Sequence, residues 1–283
     1  MSGKLINGKE IGNTIRKSIQ QEVNALKEQG INPGLAVILV GDDPASHTYV
    51  SNKQKSCEQM GIYSELIKLS ADVTEETLLQ QIECLNENPA IDGILVQLPL
   101  PKHIDEQKVI ATISPEKDVD GFHPISVGKM LLGQPTFLPC TPFGVMKLLE
   151  YSNVDIRGKH AVVIGRSHIV GVPMGQLLLQ KDATVTYCHS KTPDLKAITK
   201  QADILVVATG RAKMIGAEHV KDGAVVIDVG MDRDENGKLC GDVDFDAVID
   251  KVSAITPVPG GVGPMTITML LFNTLQSAKK KLS

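Results

Sequence analysis

Two hydrophobic spacings alternate along the N-terminal part of the chain. Over residues 9–29, Ile11, Ile15, Ile19 and Val23 or Leu26 fall on one face, the spacing of an amphipathic helix. Residues 35–40 form an unbroken aliphatic run closed by Gly41-Asp42-Asp43-Pro44, which predicts a buried strand. A second helix is expected over 46–60, opened by Ser46 as its cap and stopped before Gly61. Residues 65–69 read as a strand. Residues 74–86 read as a helix, with Thr74 and Thr77 at its start and acidic residues in its first turn. Residues 93–98 predict another buried strand, halted by Pro99 and Pro101, and 105–112 a short helix. This β-α repetition predicts a mostly parallel sheet.

The pattern changes over 114–142, where Pro115, Pro124, Pro135, Pro139 and Pro142 surround the polar string Lys117-Asp118-Val119-Asp120-Gly121-Phe122-His123. This stretch is read as the crossing between domains and one wall of a cleft. A helix over 141–151 follows, with Thr141 capping and Pro142 at its first position. From Lys159 the alternation restarts. Strands are expected at 160–164, 184–187, 203–208, 224–229 and 254–255, with helices over 170–180 and 264–281. The fold expected is α/β: two α/β domains flanking a cleft, the C-terminal one a Rossmann-like dinucleotide-binding domain with a parallel sheet. Residues 1–139, completed by the last helix at about 268–283, form one domain; residues 140–267 form the other.

Composition narrows the reading. The chain has 283 residues, 42% of them hydrophobic and only 3% aromatic, without Trp, so the core must be aliphatic. A formal net charge of −4 leaves no basic footprint for nucleic acid. The one basic run, Lys279-Lys280-Lys281, is read as a solvated helix end. No aliphatic run approaches the roughly 20 residues that span a membrane, and the N-terminus lacks the apolar centre of a signal peptide. Five cysteines (Cys57, Cys84, Cys140, Cys188 and Cys240) have no metal-ligand spacing and are read as reduced thiols of a cytoplasmic protein; no metal is expected.

The candidate chemistry lies at strand ends. After 160–164 comes Gly165-Arg166-Ser167-His168-Ile169-Val170-Gly171, a strand–glycine turn–helix context that suits a dinucleotide phosphate. Its spacing departs from G-x-G-x-x-G, so an ordinary βα turn is also compatible. About 20 residues on, where an NAD site carries an acid, stands Tyr187-Cys188-His189-Ser190-Lys191. Without a carboxylate there, a 2′-phosphate is tolerated. NADP is therefore favoured, with Arg166 and Ser190 on the phosphate; the alternative is a plain polar loop. Tyr49 and Lys53 are i,i+4 and share a helix face, able to stack a flat substrate and handle a proton, or simply to face solvent. Gln97, ending a buried strand, is an amide that needs a partner. Asp118 and Asp120 lie in the crossing as caps or as ligands to a polar heterocycle. In Thr256-Pro-Val-Pro259-Gly260-Gly261-Val-Gly263-Pro264, glycines let the backbone approach a ligand, and the loop also serves as a rigid connector.

Taken together, YVSNKQKSCEQMGI (49–62), DGILVQLPLP (92–101), PEKDVDGFHP (115–124), PCTPFGVMKLL (139–149), GRSHIVGVPMGQLL (165–178) and TPVPGGVGPMT (256–266) resemble the bifunctional methylenetetrahydrofolate dehydrogenase/methenyltetrahydrofolate cyclohydrolases. The resemblance runs in order along essentially the whole chain. It implies oxidation of 5,10-methylene- to 5,10-methenyltetrahydrofolate with NADP, then hydrolysis to 10-formyltetrahydrofolate in the same site. It also implies a place in one-carbon metabolism and purine biosynthesis, and a homodimer joined through the cofactor domains. By the same resemblance Lys53 is the catalytic lysine, Gln97 its partner, Tyr49 the stacking residue and Asp120 the substrate-binding aspartate. Gly165, Arg166, Ser167 and Ser190 hold the cofactor, with a backbone contact at Met231. The folate falls near Tyr49, Asp120, Pro259, Gly260, Gly261 and Gly263. Two other readings share the pattern: an NADP oxidoreductase with a different small substrate, and a dinucleotide-binding regulator without turnover. The joint presence of Lys53, Gln97 and Asp120 speaks against the regulator.

Overall fold

The computed structural model describes residues 3–282. The chain divides into two compact units, each assembled from segments distant in sequence. The first comprises Thr14–Cys140 and the chain from Ile267 on; the second comprises the chain up to Asn13 and Thr141–Thr266.

Strand β1 (Lys4–Leu5) leads to helix α1 (Gly8–Glu28), where Asn7 Oδ1 accepts from the Lys9 and Glu10 amides. The apolar stripe of α1 buries Ile15, Ile19, Val23 and Leu26, so both candidates for its last position point inward. β2 (Gly34–Val40), α2 (Pro44–Met60), β3 (Tyr63–Leu69), α3 (Glu75–Glu87) and β4 (Gly93–Val96) are the predicted β-α repeats. The three strands form a parallel sheet in the order β3-β2-β4. β2 is central and buried at all seven positions, as a parallel strand covered on both faces must be. Leu78, Ile82 and Leu85 of α3 share a core with Ile38, Ile94 and Val109, the last on α4 (Glu106–Thr112). Each such side chain contributes about 1.5–3 kcal/mol on burial.

Three expected details differ. Asp43, not Ser46, caps α2: its carboxylate accepts from the Ser46 amide at 2.8 Å. The proline-rich crossing contains a helix, α5 (Pro124–Leu131). His123 caps it by accepting from the Ile125 amide at 3.0 Å, and Pro124 takes the first position, where its missing N–H costs nothing. Helix α6 (Cys140–Tyr151) already opens at Cys140, so Thr141 lies inside it and pairs its hydroxyl with that of Thr266 at 2.9 Å.

The second unit continues with β5 (His160–Ile164), α7 (Gly171–Leu179), β6 (Thr184–Cys188), α8 (Leu195–Thr199), β7 (Ile204–Val207) and β8 (Val225–Asp228). A small antiparallel hairpin, β9 (Asp232–Arg233) with β10 (Leu239–Cys240), precedes α9 (Phe245–Val248) and β11 (Ala254–Ile255). The six-stranded sheet runs β1-β11-β8-β7-β5-β6, every neighbour parallel. From β5 the chain steps first to β6 on one side and then back to β7 on the other. The carboxyl end of β5 is therefore a topological switch point, where open α/β sheets take ligands.

Helix α10 (Val262–Lys279) runs into a short 3₁₀ helix, Lys280–Leu282. The basic run at its end is largely exposed and ion-paired. Lys279 pairs with Glu22, Lys280 with Glu116 at 2.6 Å, and Lys281 with Asp92 at 2.6 Å; Lys280 also lies 4.6 Å from the Phe137 ring centre. Earlier in the same helix, the amide of Asn273 donates to the carbonyls of Val119 at 2.8 Å and Leu138 at 3.1 Å.

Candidate active site

Tyr49, Lys53, Gln97 and Asp120 all belong to the first unit. On α2 the i,i+4 spacing places the Lys53 ammonium 5.7 Å from the Tyr49 ring centre, in cation–π range. Lys53 is only 6% exposed, whereas Lys55 is solvent-exposed. The lysine Nζ donates to Gln97 Oε1 at 2.9 Å, and Gln97 Nε2 donates to the Leu98 carbonyl at 2.7 Å. Gln97 follows β4 directly, and its own N–H continues the ladder to the Ile38 carbonyl at 2.9 Å. The half-buried amide thus has its partners, one of them the lysine.

Asp120 sits in a tight turn organised by Asp118, whose carboxylate accepts from the Phe122 amide at 3.2 Å and the His123 amide at 2.9 Å. Burial pushes the Asp118 carboxyl up to about 6 despite those bonds. Burial also raises Asp120 and lowers Lys53, while each ion opposes the shift of the other. The pKa values of the two groups therefore move toward each other. The Cys140 thiol is wholly buried beside them. It donates to the Val119 carbonyl at 3.3 Å, and burial together with the nearby Asp120 charge holds its pKa high. Neither Cys140 nor Asn273 stood out in the sequence. The signal for Asn273 was available: an amide within Met-Leu-Leu-Phe-Asn273-Thr-Leu poses the same question as Gln97.

Gly165, Arg166, Ser167, Ser190 and Met231 belong to the second unit, as do Pro259, Gly260, Gly261 and Gly263. Gly165 follows β5 at the switch point with φ +131°, and a Cβ there would overlap the Ala208 carbonyl oxygen, so only glycine fits. Ser167 Oγ accepts from the Val170 and Gly171 amides at 3.2 and 3.3 Å, fixing the start of α7. A serine at the second glycine position thus closes the turn that the departure from G-x-G-x-x-G left open. Arg166 is exposed beside it. After β6 the His189–Thr192 turn is closed by Thr192 N to His189 O at 2.9 Å, leaving Ser190 and Lys191 exposed with no acid among them. This donor set suits a dinucleotide carrying a 2′-phosphate. Met231 is 47% exposed, and the amide of Gly230 before it donates to Asp228 Oδ1 at 2.9 Å. Burial raises the Asp228 carboxyl to about 7.

A cavity of about 450 Å³ opens at the opposite, amino edge of the same sheet. Its Lys4, Lys159 and Lys221 are balanced by Asp155, Asp203 and Asp222, so it selects no ligand charge. Among the described residues the five cysteines are free thiols, no His/Cys/Asp/Glu group is arranged to hold a metal, and no helix is long and apolar enough to cross a membrane.

A parallel sheet with a glycine turn at its switch point, in a chain that also carries a buried lysine bonded to a half-buried glutamine and coupled to Asp120, defines a two-unit α/β protein of the dinucleotide-binding class. The family model for the tetrahydrofolate dehydrogenase/cyclohydrolase catalytic domain matches residues 6–120, and the one for the NAD(P)-binding domain of the same family matches residues 139–282. The chain is 71% identical over 283 residues to the bifunctional protein FolD of Lysinibacillus sphaericus, covering 100% of both. It is 64% identical over 280 residues to that of Geobacillus thermodenitrificans, covering 99% of each. The crystal structure of the bifunctional FolD enzyme from Campylobacter jejuni is 51% identical, with a TM-score of 0.98 over 99% of this chain and 100% of that one. The Trypanosoma brucei enzyme, solved in complex with NADP and an inhibitor, is 41% identical, with a TM-score of 0.96 over 100% of this chain and 99% of that one. The chain belongs to the tetrahydrofolate dehydrogenase/cyclohydrolase family.

Proposed function

We propose that this protein oxidises 5,10-methylenetetrahydrofolate to 5,10-methenyltetrahydrofolate with NADP and hydrolyses that product to 10-formyltetrahydrofolate. The carrying observation is the buried Lys53, bonded to Gln97 at 2.9 Å and electrostatically coupled to Asp120, in a chain of this family. When bound, NADP supplies the hydride acceptor. Gly165, Arg166, Ser167 and the turn at Ser190 hold it, and the backbone at Met231 borders it. Loss of hydride from the methylene carbon leaves a delocalised cation and no proton to remove, so the first step asks the protein mainly for orientation. Tyr49 stacks the pterin, and Asp120 binds its polar edge. Hydrolysis differs, because attack of water on the methenyl carbon releases a proton. Lys53, its pKa lowered by burial, accepts that proton, and Gln97 keeps the amine in place.

The protein further reads as a cytoplasmic homodimer joined through its second units. Its 10-formyl product serves one-carbon transfer such as that of purine biosynthesis. Purified protein given 5,10-methylenetetrahydrofolate and NADP is expected to produce NADPH and then 10-formyltetrahydrofolate, both followed by absorbance. Absence of NADPH formation refutes the reading. Light scattering should give twice the 30.4 kDa chain mass, and a monomer mass refutes the dimer.

A further inference from the structure

Asp242, between β10 and α9, has no exposed surface. Its Oδ2 accepts from the Thr209 amide at 2.5 Å and the Gly210 amide at 3.2 Å, and its Oδ1 accepts from the Arg211 amide at 2.8 Å. Three successive N–H groups of the loop leaving β7 thus end on one carboxylate. The carboxylate is itself anchored: the Asp242 amide donates to Asp228 Oδ1 at 3.0 Å and the Val243 amide to Asp228 Oδ2 at 2.9 Å. The gripped loop borders the switch point. Ala208, the residue before it, donates to the Ile164 carbonyl at 2.8 Å, and its own carbonyl fills the space beside Gly165. Because β7 and β6 flank β5 on opposite sides, this loop and the Ser190 turn form opposite walls of the crevice at the end of β5.

We propose that Asp242 is a positioning residue for the dinucleotide, fixing the Thr209–Arg211 loop as the crevice wall remote from the 2′-phosphate; this rests on reading the crevice as the NADP site. It acts through the loop rather than by touching the cofactor. Its influence therefore falls on NADP and NAD alike, unlike that of Ser190.

Asp242→Asn keeps the size of the side chain but sets an amide donor against backbone donors, so at least one of the three bonds is lost. Titration calorimetry of the folded variant, its fold checked by circular dichroism, is expected to show Kd for NADP and for NAD raised by the same factor, about tenfold. Unchanged affinity for both, or a loss confined to NADP, overturns the proposal. Should the Asn variant fail to fold, Gly210→Val serves instead. Gly210 has φ +63° and open space where a Cβ would stand, so the β-branched side chain displaces the loop by backbone strain without a clash. Parent-like affinity for both dinucleotides in Gly210→Val likewise overturns it. A parent protein that binds neither dinucleotide refutes the reading of the crevice itself, and the role of Asp242 falls with it.

Discussion

Lys53→Met removes an ammonium from a pocket where the lysine is 6% exposed and leaves an unbranched apolar chain in its place. The 2.9 Å bond to Gln97 Oε1 disappears, and the amide oxygen is left without its donor, at a cost of about 1–3 kcal/mol. Asp120 loses the cation that opposes the effect of burial, so its pKa climbs further and it carries a proton more of the time. At roughly 2–4 °C per kcal/mol, the melting temperature is expected to fall by several degrees, which leaves the protein folded for assay at 25 °C. The catalytic effect is larger and selective. Hydride transfer depends on orientation, whereas hydrolysis depends on a proton carrier that contributes about 10²–10⁴-fold. The variant should therefore form NADPH at a measurable rate while methenyltetrahydrofolate accumulates. The assay compares product identity at matched NADPH formation, with Lys55→Met, altered at an exposed position, as the control expected to behave like the parent. If Lys53→Met delivers 10-formyltetrahydrofolate at the parent rate, corrected for spontaneous hydrolysis, Lys53 is not the proton carrier.

Hydrolysis should rise with pH as Lys53 loses its proton, and Asp120 holds that pKa up, so Asp120→Asn should move the acid limb of the rate profile to lower pH; a limb that stays or moves up refutes the coupling. Ser190→Asp places a carboxylate against the 2′-phosphate and should weaken NADP by about tenfold or more while sparing NAD, and equal use of the two dinucleotides by the parent protein would contradict the assignment. Asp118, raised from 3.8 to about 6 by burial, stabilises the fold fully below pH 3.8 and loses that contribution as pH rises through 6. The difference is about 3 kcal/mol, and Asp118→Asn should flatten the stability curve across that window in denaturant titrations, where a parent-like slope would count against it.

The parallel β-α frame could be read because its inner strands are unbroken aliphatic runs such as Ile204–Val207, and its longer helices repeat an apolar face. β1, the β9–β10 hairpin, α8 and α9 have five residues or fewer and show no period. Helix α5 was hidden for another reason: Pro124 looks like a breaker unless His123 is known to cap the helix it starts. Gln97 announced itself as an amide among aliphatics, and its partner proved to be the predicted lysine. The lysine run is largely exposed, as read, but its ion pairs with Glu22, Asp92 and Glu116 could not be seen because those partners are remote in sequence. Asp242 left no trace at all. Its partners are main-chain amides about 31–33 residues away, and amides carry no side-chain signature.

The interleaving of the two units bears on synthesis. Most of the first unit emerges from the ribosome well before α10, yet Leu270, Leu271 and Leu275 are core residues, and the Val119 and Leu138 carbonyls await the Asn273 amide. β1 must likewise wait for β11, which follows it by some 250 residues. The usual order, in which an N-terminal domain matures while the rest is still being translated, is closed to this topology. The nascent chain must hold aliphatic surface open until the final helix is made, so an mRNA truncated late yields an unfinished chaperone client instead of one finished domain with a ragged neighbour.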